Sequence, residues 1–141
     1  MPTAAAPLRI IQITDPHLKA EPGNRLWGAD VDAGLNAVLA HVRDRNPAPD
    51  LILATGDLVG DEPDAYGRLR RILEPLGVPV YCLPGNHDFP AVMGQMLRGG
   101  SLRWERHLIA GNWQLVLLDS SFPGTPVGHQ ARPELAVLDP G

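Results

Sequence analysis

The chain has 141 residues, 44% of them hydrophobic and 20% charged, with a formal net charge of −4. These are the values of a globular domain, and they exclude a disordered tail, a collagen-like fibre and a coiled coil. The mildly acidic balance offers no general field for nucleic acid or for an anionic membrane surface. The start of the chain, Met1 to Pro7, has neither the basic residues nor the apolar run of a secretory signal. No window approaches the eighteen or so apolar residues of a membrane span, so a cytoplasmic location is expected.

Three short apolar runs predict strands: Leu8 to Thr14, Leu51 to Thr55 and Val78 to Leu83. Each is nearly continuous in apolar character, as in a parallel sheet covered on both faces. Between the first two, Val31, Leu35, Val38, Leu39 and Val42 recur at helical spacing, with Asp30 as N-cap and Asn46-Pro47 as the stop. Between the second and third, Tyr66, Leu69, Ile72, Leu73 and Leu76 recur in the same way. Arg68, Arg70 and Arg71 read as the solvated side of that helix, with a phosphate-binding patch as the alternative. Cys82, the single cysteine, lies in the third apolar run and reads as a buried, inert thiol.

The pattern so far is β-α-β-α-β, which implies right-handed crossovers and a parallel sheet. A shorter helix is expected at Ala91 to Leu97. Leu108 to Ala110 and Leu115 to Leu118 then read as a hairpin turning through Gly111-Asn112, making a mixed sheet. A loop rich in glycine and proline follows, and Pro133 to Leu138 read as the start of a last helix.

Ligands of open α/β sheets bind outside the carboxyl ends of the strands. The three strand ends carry Asp15-Pro16-His17, Gly56-Asp57 and Gly85-Asn86-His87-Asp88. Taken singly, Asp15 and Asp57 read first as turn or cap residues, Asn86 by default as a turn, and His17 also fits a surface histidine. Together they offer oxygen and imidazole donors without thiolate, a set suited to divalent Mn, Fe, Co or Zn. Asp57 is placed to use two oxygens on two ions, and two-metal sites are a common means of in-line displacement at phosphorus. His87, beside Asp88, reads as an imidazole oriented and kept protonated by a carboxylate. His41, His107 and His129 read as structural or solvated. Trp27, Trp104 and Trp113 read as packing or loop-clamping residues, with Trp27 near enough to Asp15 and His17 to border a substrate pocket.

These residues resemble the D-x-H, G-D and G-N-H-[DE] motifs of calcineurin-like metallophosphoesterases, in the same order and spacing. Gln12 to Leu18, Gly23 to Gly28 and Leu118 to Ser121 with Pro123-Gly124 are similar to the bacterial 3′,5′-cyclic AMP phosphodiesterase branch. The resemblance implies an α/β class fold, a four-layer α/β/β/α sandwich with mixed sheets. It also implies a dinuclear Fe, Mn or Zn centre. On it, Asp15 and His17 would bind the first metal, Asp57 would bridge, and Asn86 would bind the second. His87 would act on the leaving group with Asp88 in support, and the substrate would be a small phosphodiester such as a cyclic nucleotide. The family pattern continues with further histidines and a G-H-x-H motif, and no histidine follows His129 in this sequence. Residues 1–141 are therefore expected to be the N-terminal portion of such a domain, with one ion rather than two as the alternative load. The competing expectations are another phosphodiesterase, for example on glycerophosphodiesters, and a non-catalytic metal-binding or interaction remnant.

Overall fold

The structure, a computed structural model, describes residues 6–45 and 48–128. Its centre is an all-parallel sheet of four strands in the order β1-β4-β5-β6. These are Ile10–Ile13 (β1), Leu51–Thr55 (β4), Val80–Leu83 (β5) and Leu102–Arg103 (β6). Arg25–Leu26 (β2) and Ala29–Asp30 (β3) form a small antiparallel ribbon between β1 and the first helix.

The period of two along the strands divides the sheet into two apolar faces. Ile13, Ile52, Ala54, Val80, Cys82 and Leu102 belong to the main core beneath the helices. Leu51, Leu53, Tyr81 and Leu83 face the other way and pack with Leu108, Leu115 and Leu117. These last residues come from, or closely follow, the hairpin His107–Ala110 (β7) and Trp113–Val116 (β8). The hairpin turns through Gly111-Asn112 as expected, but it stands as a separate two-stranded sheet. It lays an apolar face on the parallel sheet instead of adding a strand to its edge, so the expected mixing occurs between sheets. The described residues thus form three layers: helices, parallel sheet and hairpin.

Helix Val31–Arg43 (α1) starts where expected, with the Asp30 carboxylate accepting the Ala33 N–H at 2.9 Å. Leu35, Leu39 and Val42 are buried, whereas Val38 is 49% exposed and lies off the core-facing stripe. Helix Ala65–Leu73 (α2) continues as a 3-10 turn over Glu74–Leu76, which Gly77 ends at φ +72°. Pro90–Met96 (α3) completes the helical layer.

Two expectations differ from the structure. β1 is shorter than the apolar run and lies at the sheet edge, leaving Ile10 37% exposed, not covered on both faces. The arginines of α2 are only partly a solvated face. Arg68 donates to the Asp32 carboxylate and to the Lys19 carbonyl, while Arg70 donates to the carbonyls of Met96, Arg98 and Gly99. The middle of α2 is thereby tied to segments on either side, which leaves Arg71 as the exposed member. Cys82 is buried as expected, and burial pushes its thiol up to about 12. The Asn46-Pro47 stop, His129 and the helix expected at Pro133 to Leu138 lie outside the described residues.

Candidate functional site

The loops leaving β1 and β4 run side by side, extending the parallel pairing beyond the strands. Asp15 N–H donates to Gly56 O at 3.0 Å, His17 N–H to Asp57 O at 2.9 Å and Leu18 N–H to Leu58 O at 3.1 Å. Leu18 and Val59 are fully buried beneath this seam. Asp15, His17 and Asp57 all adopt left-handed backbone, at φ +55°, +46° and +47°. For residues with a Cβ that conformation costs on the order of 1 kcal/mol each, and such strain gathers at functional sites. The glycines of the motifs have a steric reason. A Cβ on Gly56 would lie 2.9 Å from Gly85 N, and one on Gly85 would overlap the Asp57 carboxylate and backbone nitrogen. The turns after β4 and β5 therefore close on each other only through glycine.

The strand ends bring the donors together. His17 Nε2 lies 3.7 Å from Asp15 Oδ1 and 3.7 Å from Asp57 Oδ2. His17 and His87 meet edge to face with ring centroids 5.1 Å apart. Ligand atoms of His17, Asp57 and His87 all fall within 4.8 Å of one another. The Asp57 carboxylate is held in place from below, because its Oδ1 accepts the His87 backbone N–H at 3.0 Å. Asp15, His17, Asp57, Asn86 and His87 line one cleft of about 330 Å³, with Lys19 and Trp27 on its rim. His41 pairs with Arg45 on the exposed side of α1, and His107 opens β7; neither lines this cleft. Trp104 packs against the core, whereas Trp113 is 63% exposed on the hairpin.

Asp88 does not take the place expected for it beside the imidazole. Its carboxylate is turned inward, accepting the backbone N–H groups of Leu58, Val59 and Gly85 and the Tyr66 hydroxyl at 2.8 Å. Burial raises its pKa, and those four donors pull the other way. It is a structural clasp between the two motif loops. The carboxylate on the His87 ring belongs to Asp61, whose oxygens lie 2.9 and 3.0 Å from Nδ1. That hydrogen bond is the main reason the His87 pKa is raised, with the charges of Asp61, Asp57 and Asp88 adding to it against desolvation. The sequence reading missed Asp61. The available signal was a second acid four residues past Asp57, again preceded by glycine, on the loop that leaves β4.

Residues 8–129 match the model of the calcineurin-like phosphoesterase family. The chain belongs to that family. It is 38% identical over 133 residues to a 3′,5′-cyclic adenosine monophosphate phosphodiesterase of Haemophilus influenzae, covering 93% of this chain and 48% of that protein. To the enzyme of the same description in Pseudomonas aeruginosa it is 41% identical over 138 residues, 97% of this chain and 50% of the relative. A 3′,5′-cyclic-nucleotide phosphodiesterase of Nostoc is 37% identical over 134 residues, 94% of this chain and 50% of its own length. The chain thus spans about half the length of the curated relatives it matches.

Membership of this phosphoesterase family implies divalent metal ions, and the donor set fits them. Imidazole and carboxylate donors 3.7 Å apart sit close to the ~3.4 Å separation of two ligands on one ion with bonds of about 2.1 Å. Among the described residues, no helix is long and apolar enough to cross a membrane.

Proposed function

We propose that this chain carries the metal-binding and proton-transfer side chains of a phosphodiester hydrolase, with a 3′,5′-cyclic nucleotide, cyclic AMP first, as substrate. The observation that carries the reading is the convergence of His17, Asp57 and His87 donor atoms within 4.8 Å in one cleft at the ends of parallel strands. The activities of the relatives supply the substrate class.

In this reading Asp15 and His17 would hold one divalent ion of the Mn, Fe or Zn class, Asp57 would serve both ions, and Asn86 would hold a second. Such ions, when bound, neutralise phosphate charge and provide an activated water at neutral pH. The chain's own residues do the rest. The His87 backbone N–H fixes one Asp57 oxygen, leaving Asp57 Oδ2 on the His17 side of the cleft. Asp61 accepts a hydrogen bond from His87 Nδ1–H and favours the imidazolium. The opposite ring nitrogen then has a proton to give to the departing ribose oxygen. Asp88 serves this chemistry only by holding the loops of Leu58 and Gly85 together. A cytoplasmic site of action belongs to the same proposal, and the free, buried Cys82 is at home in a reducing compartment.

The test is to load the purified chain with Mn²⁺ and follow cyclic AMP hydrolysis beside an Asp57→Ala control, with metal stoichiometry measured on both. Metal-dependent turnover that disappears in the control supports the proposal. Metal uptake that is unchanged by Asp57→Ala overturns the assignment of the site. Bound metal without turnover overturns catalysis by this chain and leaves a metal-binding module.

A further inference from the structure

We propose that the indole of Trp27 is the surface on which the base of the nucleotide stacks, a binding determinant that separates nucleotides from phosphodiesters lacking an aromatic group. The inference rests on the nucleotide reading above and names the part of the site that would enforce it.

Trp27 is 97% exposed, although tryptophan carries the largest apolar surface a protein can bury. It occupies the first central position of the two-residue turn joining β2 to β3, at φ +48°, with Gly28 following at φ +85°. Both angles are those of a type I′ hairpin turn, for which asparagine followed by glycine is the favoured pair. A bulky aromatic residue at that first position is strained and gains nothing from the turn. Its value must lie in what it presents outward.

The turn is also well anchored. The Arg25 guanidinium donates to Gly28 O across the turn, and Val31 N–H closes onto Asn24 O at 3.1 Å. Behind it Gly23 N–H donates to Asp32 at 2.9 Å, and Asp32 is in turn held by Arg68. The backbone that carries the indole is thus anchored, and the ring lines the same cleft as Asp15, His17 and Asp57. Leu26 and Val31 give the rim an apolar wall, and the two cations that also line the cleft, Lys19 and Arg25, are engaged by the carbonyls of Gly60 and Gly28. A ligand with its phosphate among Asp15, His17 and Asp57 and an aromatic base at the other end matches both chemistries. An aliphatic phosphodiester matches only the first. Stacking tolerates any base, because every base has a π-face.

The test measures binding of adenosine 5′-monophosphate and of ribose 5-phosphate to the Mn²⁺-loaded chain by calorimetry, for the wild type, Trp27→Asn and Trp27→Phe. Trp27→Asn preserves the turn and removes the ring. Wild type is expected to prefer the nucleotide. Trp27→Asn should weaken nucleotide binding at least about fivefold, the low end for one lost base stack, without changing ribose 5-phosphate binding. Trp27→Phe should retain most of the preference. If Trp27→Asn keeps the wild-type preference, the base is read elsewhere and the inference falls while the nucleotide reading stands. A parallel loss for both ligands also overturns it, since the ring would then act on the loop and not on the base. If wild type binds the two ligands alike, or neither, the nucleotide reading fails and takes the inference with it.

Discussion

Asp61 holds the His87 imidazole through both carboxylate oxygens, 2.9 and 3.0 Å from Nδ1, across a separation of 26 residues. The pair joins the loop after β4 to the loop after β5 on the open side of the cleft. Asp88 joins the same two loops from the buried side. Asp61 and Asp88 therefore join the same two loops with different duties, and substitutions should separate them.

The raised His87 pKa is predicted to depend on Asp61. In the metal-free chain, NMR titration should place His87 above the ordinary histidine value of about 6.5, and Asp61→Asn should bring it down. Asp88→Asn should move it much less. A larger effect from Asp88→Asn would return the supporting role to that residue. The linkage has a definite sign: a histidine pKa raised by folding contributes stability below its unfolded value and loses it as pH rises through the folded one. Asp61→Asn should therefore lower the melting temperature slightly near pH 5.5 and hardly at all near pH 9. The effect is small because the His87 and Asp61 side chains are 40% and 67% exposed.

Gly85→Ala should abolish metal binding even though it alters no ligand. The added methyl group would overlap the Asp57 carboxylate and also its backbone nitrogen, so a rotamer change alone cannot accommodate it. Isothermal titration with Mn²⁺ is expected to show loss of the site. Metal affinity equal to wild type would mean that the close approach of the two turns does not fix Asp57.

The Asp88 clasp should matter for stability. Asp88→Ala leaves three backbone N–H groups without their acceptor, at a cost of about 3 kcal/mol or more. Tyr66→Phe removes one hydrogen bond to a carboxylate and the acceptor of the Phe89 N–H, and should cost about 1.5–3 kcal/mol. Urea unfolding of both variants tests this. Losses under 0.5 kcal/mol, which is the range of ordinary surface changes, would refute the clasp.

Arg68→Ala should loosen the segment around Trp27 as well as helix α2. Its guanidinium reaches both Asp32 and Lys19 O, and Asp32 also accepts the Gly23 N–H. Faster amide exchange at Gly23 and neighbouring residues is the expected signature, with a stability loss of about 1–2 kcal/mol from a half-buried ion pair. Unchanged exchange there would return Arg68 to the solvated face first assigned to it.

Local pattern was enough for much of this molecule. Apolar runs and helical periodicity located β4, β5, α1 and α2 because burial requires those periods, and Asp30 announced its cap through side-chain chemistry that acts within three residues. The spacing of Asp15, His17, Asp57 and Asn86 pointed to one cleft, since parallel strands with right-handed crossovers must place their carboxyl ends together. What tertiary structure decided were relations between segments that share no period. Asp61, not Asp88, meets the His87 ring, because the φ of +62° at Asp61 and the inward turn of the Asp88 carboxylate are set by the packing of two loops. The hairpin became its own sheet because Leu108, Leu115 and Leu117 found a flat apolar face on β4 and β5. The sequence determined which donors exist and at which strand ends they fall. Only the folded chain decided which donor touches which, since contacts formed across 26 or 30 residues depend on how strands and loops pack and leave no periodic trace along the chain.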